Sequence, residues 1–411
     1  MKTPGRSTTV LRNIGQLATC PPAAKQQDAG LISKAALVIE DQVVHWAGPE
    51  AHLPEHYNPL QSLDCNNQLV IPGLVDCHTH LCFGGWRGDE FAMRIEGASY
   101  QDIAAAGGGI RSTVEATRNT PKQELMLKAR NILDQALKLG VTTMECKSGY
   151  GLNLESELKQ LEVYAELDRV HAIDLVPTFL GAHIIPAEFS DDRRGYIRLL
   201  CDELLPQIAK LDLARFCDVF VEENAFRLEE ARTILARARE LGLGLKIHAD
   251  QLSSGKGAEL AAEMAATSAE HLEHISDQGI TAMAASGTVA VSLPIASMYL
   301  GAGYLPARQL IDAGVSVAVA TDFNPGSAPS FHLPLAMTLA CINQAMTPVE
   351  VLCGATSIAA KAVGLEHQAG SLVQGSQADL ALIDAHDINQ WLYHFRPNAC
   401  LAVMKNGEWL N

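Results

Sequence analysis

The sequence predicts an α/β chain built as a (β/α)8, TIM-like barrel, with a small β-sandwich assembled from its two ends. Three observations carry that prediction. Apolar strand-like runs alternate with amphipathic helical stretches through the middle of the chain, the texture of a parallel sheet with crossover helices. Both ends lack a convincing long helix and read as short strands joined by polar and Gly/Pro-containing turns. Metal-capable side chains recur where the barrel strands end, which is where such a barrel gathers its functional groups.

Length and composition bound the answer. The 411 residues, 48% of them hydrophobic, suffice for one large barrel and exclude wholesale disorder. A formal charge of −16 argues against nucleic acid or an anionic membrane surface as partner. An anionic substrate would therefore need a local cation. The ten cysteines are scattered without a CxxC pair. Cys146, Cys217 and Cys341 sit inside apolar runs as expected buried thiols, which fits a reducing compartment. The N-terminal stretch MKTPGRSTTVLRNIGQLAT has no continuous apolar core of a signal peptide, and no run has the length of a membrane span. A cytoplasmic location is expected.

Along the chain, TTVLRNI and AALVIEDQVVHWAG read as strands of the first end. A helix is expected from about Pro121 to Leu139, with Thr120 as N-cap and Gly140 just beyond it. Strands follow at VTTMECK, IDLVPTFLGAH, CDVFVEE, GLKIHAD, ATSAEH, GTVAVSL and VSVAVATD. Helices such as FRLEEARTILARARELG and ARQLIDAG lie between them. A doubly wound open sheet is the competing architecture, but no GxGxxG opens a βα unit. Gly107 to Gly109 follow an Ala-rich helical stretch and read as a loop. After Gly364 the strands SQADLALIDAHD and CLAVMKNGEW return, the latter turning at Asn406-Gly407. The expected division is residues 71–364 for the barrel, and 1–70 with 365–411 for the composite β domain.

The stretch LVDCHTHLCFGGWR holds the first chemistry. Strand alternation aims His78 and His80 to one side and Thr79 elsewhere, giving half of a divalent-metal site. Further strand exits carry Glu145 and Lys147, His183, Glu222, His248 and Asp250, His271, and Asp322. One histidine at a strand exit reads equally well as a loop residue, and one aspartate as a helix cap. Recurrence on six further strands favours a site. His78, His80, His248 and Asp322 would hold one divalent ion with room for water. Asp322 is the choice for the base that takes the water's proton. A carboxylated Lys147 bridging two metals is the alternative, but its neighbour Glu145 fits an ion pair better. His274 is expected exposed in the helix after His271, and His332 and His367 are expected to be structural.

PGLVDCHTHLCFGGWRGDEF, GGGIRSTVEATR, ECKSGYGL, TFLGAHIIP, DVFVEENAF, KIHADQLS, EHLEHI and ATDFNPGS carry a resemblance over essentially the whole chain. It is similar to the imidazolonepropionase family of the amidohydrolase superfamily. HxH after PGLVD marks only the superfamily, while FGGWR, KSGYGL, HADQLS and TDFNPGS together are narrower. The resemblance implies ring opening of 4-imidazolone-5-propanoate by water to N-formimidoyl-L-glutamate in histidine degradation. It also implies a (β/α)8 barrel with a β-sandwich, one zinc or iron ion, and a homodimer. By motif it gives His78, His80, His248 and Asp322 as metal ligands. Arg87, Tyr150, His183, Asn324, Gly326 and Ser327 fall at substrate-binding positions. Beside it, the chemistry of the residues makes Arg87 a bidentate partner for the propanoate, and His271 a group able to polarise the ring carbonyl. Gln251 stands where some members carry Glu; an amide cannot take a proton at ordinary pH, so its expected task is orientation. A cytosine- or guanine-deaminase-like enzyme would keep the ligand skeleton but have no use for Arg87 and FNPGS. A non-catalytic scaffold would be expected to lose ligands, and all four are present.

Overall fold

The computed structural model describes residues 8–98, 102 and 107–410. Four strands open the chain: β1 Thr8–Ala18, β2 Leu31–Glu40, β3 Val43–Pro49 and β4 Ser62–Pro72. β1, β2 and β3 pair antiparallel, and β1 also runs parallel to β4. Alternation is visible in β2, which sends Ala35, Leu37 and Ile39 into one apolar cluster and Ala36 and Val38 into another.

Eight parallel strands follow in sequential order: β5 Leu74–Asp76, β6 Val141–Lys147, β7 Asp174–Ala182, β8 Phe216–Val221, β9 Gly244–Ala249, β10 Ser268–His271, β11 Val289–Ser292 and β12 Val317–Val319. Helices between them cover the outside, so these strands are buried on both faces; every residue of β6, β10, β11 and β12 is buried. Just past the strand ends, Asp322 N donates to His78 O (3.0 Å) and His80 N to Phe323 O (2.8 Å), joining the β5 side to the β12 side and closing the ring. Gly73 makes the passage from β4 to β5 possible, since a Cβ there would stand 2.2 Å from Thr142 Oγ1.

The chain returns to the first sheet with β13 Leu380–Ile383, β14 Cys400–Lys405 and β15 Glu408–Leu410. Its order is β15-β14-β13-β4-β1-β2-β3, one continuous ladder. Val44 N donates to Ser376 O and Gly375 N to Val44 O, both at 2.8 Å, and Val43 bridges Gln377. The far edge thus meets the chain entering β13, and the sheet folds over a core that includes Leu11, Leu37, Val70 and Leu380.

Local differences from the sequence-based expectations have local causes. The expected Pro121 helix spans Lys122–Leu137 with Pro121 as its N-cap. Thr120 belongs to the preceding helix, Ile110–Asn119, because its hydroxyl donates to Ala116 O. His274 is exposed as expected, but in the turn before the helix Asp277–Ser286, where its N–H donates to Asp250 O. His332 is structural: its ring caps the helix Leu333–Gln344 and contacts Pro397 O. All ten cysteines are free; Cys146 and Cys217 are buried, while Cys341 is only half-buried. The Ala-rich stretch before Gly107 lies outside the described residues. Among the described residues no helix is long and apolar enough to cross a membrane.

Candidate active site

β5 ends at Asp76, and the next turns of chain place two imidazoles at the mouth of the barrel. Thr79 between them turns away and donates to Glu145 O (2.7 Å), leaving the His78 and His80 rings 5.4 Å apart. The backbone at Asp322 adopts φ +55° beyond β12, a conformation that costs energy in a non-glycine residue. It brings Oδ1 within 3.3 Å of His78 Nε2 and 3.4 Å of His80 Nε2. His248, near the end of β9, sets its ring 4.6 Å from that of His78, tilted by 58°. His271, also at positive φ (+77°), ends β10 with its ring 5.4 Å from His248. The nitrogens of His78, His248 and His271, and the donor atoms of His78, His80 and Asp322, each form a compact group.

A layer of buried charge supports these rings from below. Lys147 Nζ is 2.8 Å from Glu145 Oε1, 2.8 Å from Asp218 Oδ2 and 3.3 Å from Glu270 Oε2. Lys246 reaches Glu270 from the other side at 3.0 Å. Asp218 then faces His248 Nδ1 at 2.9 Å, and Glu270 faces His78 Nδ1 at 3.4 Å. Carboxylates behind the imidazoles in this way fix which nitrogen looks forward. The adjacent Lys147 accordingly pairs with carboxylates.

The arrangement fits a divalent cation on two observations. His80 Nδ1 and His248 Nε2 are buried with neither a hydrogen-bond partner nor a carboxylate against them, a costly state unless something else engages them. Three buried carboxylates, Glu145, Asp218 and Glu270, also share two ammonium groups, Lys147 and Lys246, while Asp322 lies against the His78 and His80 imidazoles. Burial holds His80 well below the usual imidazole range and lowers His248 too, so both are neutral and able to ligate. At His78 burial and Lys147 oppose the charged ring, but Glu270 and Asp322 outweigh them and push it up to about 9. Asp322 is disfavoured as an anion by burial, yet contacts from His78 and His80 bring it well below the ordinary carboxylate range.

Above this floor opens a cavity of ≈ 560 Å³ lined by His80, His248, His271 and Asp322. Arg87, Tyr150, His183, Gln251, Asn324, Gly326 and Ser327 also face it, while His78 lies beneath. Arg87 is tied along one edge to Glu90, with Nε 2.8 Å and Nη2 2.6 Å from Oε2. Its Nη1 packs over Gly326, where a Cβ would stand 2.2 Å away, so a side chain at this position would displace the guanidinium. Asn324 is saturated within its own turn: Oδ1 accepts from Gly326 N (2.7 Å) and Ser327 N (2.8 Å), and Nδ2 donates to Asp322 O (2.7 Å). His183 Nδ1 is 3.0 Å from Gly149 O and must donate to it. Burial pushes this ring down to about 4, so it is neutral and keeps Nε2 as an acceptor. Burial, then Asp322, raises the Tyr150 phenol, leaving a protonated donor.

Gln251 is presented by a loop pinned from two sides. Asp250 accepts from Gly255 N and Ala258 N, and Glu222 accepts from Leu252 N and Ser253 Oγ. Glu222 at its strand exit therefore holds a loop. Sequence reasoning missed Asp218, Lys246, Glu270, Glu90 and Glu273, the last 3.6 Å from His271 Nδ1. The available signal was charge inside an apolar strand, as in FCDVFV and GLKIHA.

The amidohydrolase family model matches residues 69–410. An imidazolonepropionase of Fusobacterium nucleatum is 45% identical over 404 residues, covering 97% of this chain and 98% of that protein. Those of Treponema denticola and a Geobacillus species are 48% and 43% identical, covering 90% and 97% of this chain and 91% and 96% of theirs. Among solved structures, a triazine hydrolase variant superposes with TM-score 0.75 at 17% identity, covering 98% of this chain and 94% of its own. An Arthrobacter aurescens atrazine chlorohydrolase complexed with zinc gives 0.74 at 17% identity, with 98% and 95% covered. These two share the fold.

Proposed function

The chain belongs to the amidohydrolase family and, within it, to the imidazolonepropionases, and from that premise we infer how its residues divide the reaction. The reaction is metal-dependent hydrolysis of the ring C–N bond of 4-imidazolone-5-propanoate to N-formimidoyl-L-glutamate, in histidine degradation. One observation carries the division of labour: a single cavity has the His80–His248–Asp322 cluster on its floor and the Arg87 guanidinium, beside Gly326, on its wall. That pairing suits a substrate with a hydrolysable ring at one end and a carboxylate at the other.

His78, His80, His248 and Asp322 would hold one zinc or iron ion, since imidazole and carboxylate suit both. When bound, such an ion supplies Lewis acidity that brings the pKa of water towards neutrality. Arg87 grips the propanoate with the edge that Glu90 leaves free. The Asn324 turn presents Gly326 and Ser327 to the substrate. His183 Nε2 accepts from a ring N–H, Tyr150 donates, and the Gln251 amide orients the ring. His271 donates to the carbonyl oxygen as it gains charge. Asp322 takes the proton of the attacking water and passes it to the ring nitrogen as the C–N bond breaks.

On the same reading the enzyme is a cytoplasmic homodimer, with residues 71–364 as the barrel domain and 1–70 with 365–411 as the β domain. The deaminase alternative differs in product. Mass spectrometry of the reaction should find N-formimidoyl-L-glutamate from imidazolonepropionate. Ammonia release from cytosine or guanine, with imidazolonepropionate untouched, would overturn the assignment.

A further inference from the structure

Arg87 stands on a stretch, Phe83 to Trp86, with two adjacent glycines and no strand or helix of its own. Gly84 N donates to Thr117 Oγ1 at 2.9 Å. The other anchor is Lys128, reaching in from the helix Lys122–Leu137. Its Nζ donates to Phe83 O (3.1 Å) and Gly85 O (2.6 Å). The same ammonium lies 3.5 Å from the Phe83 ring centroid and 4.3 Å from that of Trp86, whose rings meet edge to face at 5.0 Å. One cation thus collects two carbonyls and two aromatic faces from four consecutive residues, and the next residue is Arg87.

We propose that Lys128 is a positioning residue for substrate binding, its ammonium gathering the Phe83–Trp86 turn so that Arg87 is aimed beside Gly326. The inference rests on Arg87 being the propanoate anchor. Lys128 touches none of the metal-binding candidates, so its influence falls on substrate capture. A side chain without a charge or N–H donors would lose both the charge-assisted bonds and the cation–ring contacts, leaving the turn held at Gly84 by Thr117 but released at Phe83, Gly85 and Trp86. Burial lowers the ammonium to about 8, and the one ionisable neighbour acting on it, Cys82, is itself pushed up to about 12 by burial and stays neutral in that range. The clamp is therefore charged below about pH 8 and, as pH rises through it, loses its charge and the attraction to both rings, keeping only neutral N–H donors.

The test measures KM and kcat for metal-loaded wild type, Lys128→Met, Lys128→Arg, Arg87→Met and the Lys128→Met/Arg87→Met double variant, from about pH 6.5 to 9.5. Wild-type KM should rise as pH passes about 8. Lys128→Met should show a KM about ten- to a hundredfold higher at neutral pH, flat with pH, at near-normal kcat and full metal content. Lys128→Arg, which keeps its charge throughout, should retain a low KM and lose the alkaline rise. The double variant should match Arg87→Met. An unchanged KM in Lys128→Met, or effects that simply add in the double variant, would overturn the proposal. Should Lys128→Met fail to fold, the contrast between wild type and Lys128→Arg decides, and an identical alkaline rise in both sinks it. If Arg87→Met leaves KM unchanged, the anchor reading itself fails; if only Arg87→Met raises it, Lys128 alone is refuted.

Discussion

The proposed function gives Asp322 two duties, ligand and base, that one substitution separates. Asp322→Asn keeps an oxygen facing His78 and His80 but cannot accept a proton, so kcat should fall by at least ~10² in metal-reconstituted protein. Near-normal turnover with full metal would move the proton to another group, with His271 the first candidate. His271→Ala should lower kcat with metal retained, and Gln251→Glu should be far milder. On the cavity wall, Arg87→Met should remove the proposed charge-assisted pair with the propanoate, worth on the order of 2–4 kcal/mol and read as a raised KM with metal content unchanged. Gly326→Ala should mimic it, because its Cβ would collide with Arg87 Nη1. A Gly326→Ala enzyme with normal KM would mean that the guanidinium works from another place.

At the scale of elements, the chemistry depends on strands that carry charge inside the barrel. Lys147 of β6 joins Glu145 to Asp218 of β8 and Glu270 of β10. Lys147→Met leaves those carboxylates buried around a missing cation, which should cost ~3–5 kcal/mol in chemical denaturation. A stability change below ~1 kcal/mol would show that the network is not ionised as drawn. The same network marks the boundary of what was legible in the sequence. His78 and His80 could be read because a two-residue strand period acts locally, and Arg87 because an acidic chain needs a cation for an anionic ligand. Asp218 stood out only as a charge inside an apolar strand, and its role and that of Glu270 could not be read, since their meaning lies in Lys147, 71 and 123 residues away along the chain. Likewise, alternation announced strands at both chain ends, but not that Val43 would bridge Gln377 and fold one sheet over itself.

At the scale of the whole molecule, the proposed ligands come from the ends of β5, β9 and β12, so a bound ion would tie separate sectors of the barrel together. Chelation should therefore lower the melting temperature and reloading restore it; at a thousandfold excess over Kd the ion would contribute about 4 kcal/mol. A chelated protein that melts unchanged would place the ion elsewhere. In the proposed function one ion, held by His78, His80, His248 and Asp322, serves ring opening in the cavity that Arg87 lines. The most direct test is to titrate zinc or ferrous iron into metal-free protein and follow loss of the imidazolone ring absorbance at each addition. The rate should climb linearly and saturate at one equivalent per chain, with His248→Ala failing to gain activity at that stoichiometry. Saturation only at two equivalents, or a fully loaded protein that leaves the ring intact, would contradict this reading.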